Sequence, residues 1–69
     1  MPAVSSRAIS FVDYTPTTSE MSITFTHGRI YVYSDVPLEL YNRFLEAHSK
    51  GEFYNKFIRD IYTVKNETG

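Results

Sequence analysis

Between Ser34 and Leu38 the apolar pattern of this chain changes period. Before that point hydrophobic residues alternate. In "MSITFT", residues 21 to 26, Met21, Ile23 and Phe25 point one way and Ser22, Thr24 and Thr26 the other, which is the two-residue repeat of a half-buried strand. After it, in "DVPLELYNRFLEAHSK", Leu38, Tyr41, Leu45 and His48 recur at helical spacing, with Leu40, Phe44 and Ala47 widening the stripe. A strand half followed by a helix half is the order of an α+β fold, in which helices cover one face of an antiparallel sheet.

The strand half divides further. "AISFVDY", residues 8 to 14, is rich in β-branched and aromatic residues and reads as a first strand. "TPTTSE" after it is turn chemistry, with hydroxyls that satisfy nearby backbone groups. The second strand covers about 20–26. "RIYVYS", 29 to 34, is the third, and Gly28 marks the hairpin between them.

In the helix half, Pro37 suits a first helical position, where its missing N–H costs nothing. Asp35 is the better chemical cap, ahead of Val36. A second helix starts almost at once. Ser49-x-x-Glu52 is a capping-box pattern, in which the hydroxyl accepts from the N–H of Glu52 and the carboxylate reaches back to the N–H of Ser49. Phe53, Tyr54, Phe57, Ile58 and Ile61 then make one apolar stripe. Gly51 weakens that helix by up to about 1 kcal/mol relative to alanine, which suggests a close approach there. The expected architecture is therefore a three-stranded antiparallel meander (8–14, 20–26, 29–34) followed by two helices (37–48, 50–60) packed on one face. The expected core is Ile9, Met21, Ile23, Phe25, Leu45, Phe53, Phe57 and Ile58. "TVKNETG", residues 63–69, carries no pattern and reads as a frayed tail; the folded part spans about 6–62.

Sixty-nine residues make one domain, and a chain this short buries only about 60% of its unfolded surface. It has no cysteine, so disulfides and cysteine-based zinc sites are excluded. Its stabilising material is aromatic: six tyrosines and five phenylalanines without a tryptophan, each burying roughly 150–250 Å². No apolar run approaches the ~20 residues of a membrane span. "MPAVSSRA" at the start lacks a hydrophobic signal core, so a cytoplasmic chain is expected. Asn66-Glu67-Thr68 then matches the glycosylation sequon by accident.

The spacing of Tyr31 and Tyr33 puts both rings on one face. A two-residue loop, His27-Gly28, places them on the hydroxyl face with Thr24 and Ser22, as an open stacking platform. A three-residue loop, Thr26-His27-Gly28, slips the register by one. Ile23 then faces Tyr31, Met21 faces Tyr33, and both rings enter the core. Glycine suits the left-handed bulge position of the longer loop better than histidine suits the shorter one, so the inward register is favoured.

The residues resemble a known family, the KTSC domain, a short module named for its place at the C-terminus of some lysyl-tRNA synthetases. The marks are Tyr31-Val32-Tyr33 after Gly28 and before Val36-Pro37, then Ser49, Gly51, Phe53, Tyr54, Asn55, Ile58 and Arg59, with Tyr62 closing the pattern. Two departures are the Val12-Asp13-Tyr14 end of the first strand, where the family tends to show Gly-Tyr-Asp, and Val32, where it is often polar. The resemblance implies this fold. It implies no established activity, although the synthetase context suggests RNA.

Net charge is −1, which argues against a strongly basic nucleic-acid binder. From Tyr41 to Lys65 five positive residues (Arg43, Lys50, Lys56, Arg59, Lys65) stand against three negative ones (Glu46, Glu52, Asp60), a bias that an ordinary solvated surface also shows. Lys50 and Gly51 at a helix start form an anion site if the capping box leaves it open. Asn55, Lys56 and Arg59 extend along the polar side of the same helix, and Asn55 equally suits a hydrogen bond to the loop joining the helices. The nucleic-acid contact expected from these patterns is Lys50, Gly51, Asn55, Lys56 and Arg59, joined by Tyr31 and Tyr33 only in the two-residue register. The alternative is a protein-interaction or assembly module. Neither His27 nor His48 has a partner placed by pattern, and no metal-ligand spacing occurs. Asp13, Asp35 and a histidine meet only if folding brings them together. A non-enzyme without cofactors is expected.

Overall fold

The computed structural model describes residues 8–68; the expected start of the folded part at Ser6, and Gly69, lie outside them. The element order is β1 (Ile9–Thr15), β2 (Glu20–Phe25), β3 (Ile30–Tyr33), α1 (Leu38–Glu46), α2 (Lys50–Phe57) and β4 (Val64–Thr68). The strands form one antiparallel sheet in the order β1-β2-β3-β4. The sheet thus has four strands where three were expected, and residues 64–68 of the expected tail are its fourth. The sequence of β4 shows no apolar alternation because none of its five residues is buried. What holds it are backbone pairs to β3 and ion pairs from distant residues, Arg29 to Glu67 and Lys65 to Glu20.

The β2–β3 hairpin has the three-residue loop. The Phe25 N–H donates to the Arg29 carbonyl (2.8 Å) and the Gly28 N–H to the Phe25 carbonyl (2.9 Å), with Gly28 at φ 100°. Met21 consequently pairs with Tyr33 and Ile23 with Tyr31, so both tyrosines take the face that carries Ile23 and Met21. Ser10 sits where the β1–β2 register shifts, between Ile9 and Phe11. That bulge sets Phe11 opposite Thr24 on the other face, where it is 42% exposed.

α1 starts one residue later than expected, and both helices end earlier. Pro37 is the N-cap of α1 rather than its first residue, and no side chain caps it. Asp35 cannot serve, because the chain turns through a left-handed conformation there (φ 55°) to bury Val36, whose N–H donates to the Ser19 carbonyl at 2.9 Å. Extended backbone at Ala47 stops α1, and Ile58 leaves helical geometry (φ −122°, ψ −54°) to end α2.

The buried core is Ile9, Val12, Met21, Ile23, Tyr33, Val36, Phe44 and Ile58. Four of the expected core residues are in it. Phe25, Leu45 and Phe53 pack against it half-buried, and Phe57 is 49% exposed. The residue that anchors α1 is Phe44, whose full burial contributes about 1.5–3 kcal/mol. Among the described residues no helix is long and apolar enough to cross a membrane.

Candidate interaction site at the helix junction

Tyr31 and Tyr33 lie under α2, where they close the core. The Tyr33 ring is 2% exposed, and its hydroxyl is 2.5 Å from that of Tyr54. Phe25 meets Tyr31 and Tyr54 edge-on at 5.2 and 5.3 Å, and Tyr33 meets Tyr31 and Tyr54 at 6.4 and 6.2 Å. These four rings join β2 and β3 to α2. Burial, then the hydrogen bond with Tyr54, pushes the Tyr33 phenol far above its ordinary range; the charge of Arg59 opposes this weakly. A ring buried in this way has no free face for a base to stack on.

At the α1–α2 turn, Ser49 caps α2 as the capping pattern predicts, its Oγ accepting from the Glu52 N–H at 3.3 Å. The Glu52 carboxylate instead pairs with Lys56 at 2.9 Å, and that bond lowers its pKa. Lys50 Nζ donates to the Ala47 carbonyl at 2.5 Å. A Cβ on Gly51 would meet nothing within 4 Å, so no close approach requires this glycine. Asn55 is exposed, and among the described residues no hydrogen bond ties its side chain to the helix–helix loop.

The same junction holds a shallow groove of about 320 Å³, lined by Ala47, His48, Ser49, Glu52, Phe53, Lys56 and Phe57. Its floor is aromatic. Buried Phe44 stacks on Phe53 (5.4 Å, 20°), and Phe53 meets Phe57 at 4.8 Å. A column of rings therefore runs from the core to a half-exposed face. The sequence carried the signal, since Phe53 and Phe57 are four apart and follow a capped helix start. Spacing alone places both rings in the core, because it does not show where the covering layer ends.

Of the three cations in the expected contact, Lys56 is paired with an acid. Arg29, Arg43, Lys56 and Lys65 each pair with a glutamate, and all four pairs are solvent-exposed to some degree. Lys50 and Arg59 remain without an acidic partner among the described residues. His27 accepts from the Arg29 N–H through Nδ1 (3.3 Å) and stacks on Phe25, while His48 lines the groove. Among the described residues no three His, Asp or Glu side chains gather as metal ligands.

The model of the KTSC domain family matches residues 5–62. A crystal structure of a KTSC domain protein from Yersinia pestis superposes with a TM-score of 0.90 at 30% identity, over 99% of this chain and 94% of that one. A protein of Tsukamurella paurometabola is 36% identical over 59 residues, covering 86% of this chain and 88% of its own length. A lysine–tRNA ligase from Nostoc is 41% identical over 46 residues, 67% of this chain. The matched segment is 8% of that ligase. By the family match and by these relatives, the chain belongs to the KTSC domain family.

Proposed function

We propose that this domain is a non-catalytic docking module that receives an apolar side chain of another protein in the α1–α2 groove. The observation that carries the reading is the ring column Phe44–Phe53–Phe57, which ends in a half-exposed face at the groove floor. Large exposed apolar surface with a polar rim marks interaction sites, and here Glu52, Lys56, His48 and Ser49 supply the rim. The volume admits one large side chain and is too open to enclose a reaction. A photo-crosslinkable phenylalanine analogue at Phe57, with the same analogue at Phe11 as control, tests it in cell extract. Protein adducts specific to Phe57 that persist in molar salt are expected, because apolar contacts do not weaken with ionic strength. Equal labelling at both positions, or adducts that are nucleic acid, would overturn it.

A second reading rests on the lysine–tRNA ligase relative: a weak RNA contact along α2 through Lys50, Gly51, Asn55, Lys56 and Arg59. Tyr31 and Tyr33 take no part in it, given their register. With two cations free of acids, the slope of log affinity against log salt is shallow, about −1.4. Amide shifts at Lys50, Gly51, Asn55 and Arg59 on titration with short single-stranded RNA at low salt, lost at high salt, would support this reading. Their absence sinks it.

A further inference from the structure

α2 packs on the core through Tyr54 and, just past its last residue, through buried Ile58. Four residues share the side turned away from that contact, because an α-helix repeats every 3.6 residues. Glu52 and Lys56, four apart, make one edge of this side; Phe53 and Phe57, four apart, make the other. The charged edge is exposed and joined by its own ion pair. The aromatic edge is the groove floor, with Phe53 half-buried against Phe44 and Phe57 exposed over half its ring. A helix with acid and base on one edge and two rings on the other is complementary to itself when reversed.

We propose, resting on the docking reading above, that the side chain received by the groove is Phe57 of a second copy, and that two α2 helices pack antiparallel about a two-fold axis between residues 54 and 55. A two-fold perpendicular to the helices reverses their direction and keeps each edge on its own side. Glu52 then lies beside Lys56 of the second copy, and Lys56 beside its Glu52. On the other edge Phe53 lies beside Phe57 of the second copy, and the symmetry makes that contact twice. Residues 52 and 57 are equidistant from the axis, as are 53 and 56, so the ionic and aromatic pairs each meet within about 1.5 Å of one height. Parallel packing, with the two-fold along the helices, exchanges the edges. It sets the Glu52 carboxylate against a ring, where nothing repays its lost hydration. The rings therefore supply the attraction and the charges the orientation. A foreign partner must bring a ring and an opposed charge pair at this same spacing, whereas a second α2 already carries both. The contact is smaller than the roughly 1,200 Å² of a stable complex, so the dimer is weak, with a Kd on the order of 0.1–1 mM.

Sedimentation and amide shifts of the purified full chain, up to about 1 mM, test the proposal. A monomer–dimer equilibrium is expected, with concentration-dependent shifts at Glu52, Phe53, Lys56 and Phe57. Phe57→Ala removes the inserted ring and abolishes it. Glu52→Lys and Lys56→Glu each put like charges in both symmetric pairs and weaken the dimer about tenfold. An equimolar mixture of those two variants recovers the wild-type association, because one copy then offers two bases and the other two acids. The ion pair lost within each helix cannot be repaired by mixing, so recovery isolates the contact between copies. If a variant fails to fold, intermolecular contacts between Phe53 and Phe57 in a mixed-label NMR sample of the wild type decide. A monomer at every concentration, a dimer with contacts elsewhere, or folded variants whose mixture binds no better than either alone would overturn the proposal. A purified monomer whose Phe57 still crosslinks to proteins of the extract overturns the second copy alone and leaves the docking reading standing; a monomer without such adducts overturns both.

Discussion

Tyr33 gives the most direct test of how this small core is held. Its ring is 2% exposed and its hydroxyl meets that of Tyr54 at 2.5 Å. Burial chiefly, then that hydrogen bond, raises the folded phenol well above its ordinary value of 10.0. A raised folded-state pKa contributes stability that is fully present below the unfolded pKa and is lost as pH rises above it. Above pH 10 the unfolded chain releases the proton while the folded chain keeps it. Each further pH unit therefore removes about 1.4 kcal/mol. A domain of this size has a total stability of roughly 3–10 kcal/mol, so two units is a large fraction. Tyr33→Phe removes the hydrogen bond and costs about 1 kcal/mol at neutral pH, because the half-buried Tyr54 hydroxyl can turn to water. That corresponds to a loss of roughly 4–8 °C in melting temperature. The variant also removes the alkaline loss. The stability curves of wild type and variant should then cross near pH 11, by about 1 kcal/mol over 1.4 kcal/mol per unit. Urea unfolding at intervals from neutral pH to pH 12, followed by circular dichroism, gives both curves. Tyr41, raised by burial and then by Asp13, contributes equally to both and cancels. Parallel curves that never cross would show that Tyr33 ionises as readily folded as unfolded, and would refute the argument.

The two described glycines should respond with opposite sign. Gly28→Ala puts a Cβ at φ 100° and should destabilise by about 1–2 kcal/mol, whereas Gly51→Ala fills open space within a helix and should stabilise by about 0.4–1 kcal/mol; chemical denaturation of both variants checks the pair. Phe44→Ala should cost about 3–5 kcal/mol and leave little folded protein, while Phe57→Ala, at a half-exposed ring, should cost under about 1 kcal/mol in the same assay. Hydrogen bonds from Lys65 and Lys56 lower the pKa of Glu20 and Glu52 from 4.5. Their contribution is present above that pH and is lost as pH falls through the lowered values, so Glu52→Gln should flatten the acid limb of the stability curve.

The hairpin was legible because its information is local. Glycine at the bulge position and alternation on both sides fix a register, and that register alone decides whether Tyr31 and Tyr33 face the core or the solvent. The fourth strand was not legible, because its partners lie far away in the chain: Glu67 meets Arg29, and Lys65 meets Glu20. Nothing within "VKNET" records those contacts. Phe57 illustrates a different gap. Helical spacing reports which residues share a stripe but not how far the opposing sheet extends beneath it, and here α2 ends on a ring the sheet does not cover. The missed cap at Asp35 is similar, since burial of Val36 set the backbone angle there and overrode cap chemistry.

The candidate site shows the same division between local and distant information. Counting charges from Tyr41 to Lys65 gives a basic excess, but a count does not register pairing. Lys56 follows Glu52 by four, and Arg43 follows Glu39 by four, the spacing at which opposite charges on a helix meet; both pairings can be read directly from the sequence. Lys65 and Arg29 are neutralised by glutamates that only the folded sheet brings near. With Arg43, Lys56 and Lys65 paired, the cations left in that stretch are Lys50 and Arg59, balanced in number by Glu46 and Asp60, and Tyr31 and Tyr33 face the core side of the sheet. The surface left with an unsatisfied physical property is the aromatic floor between the helices, which is why an apolar protein contact ranks above RNA for this chain.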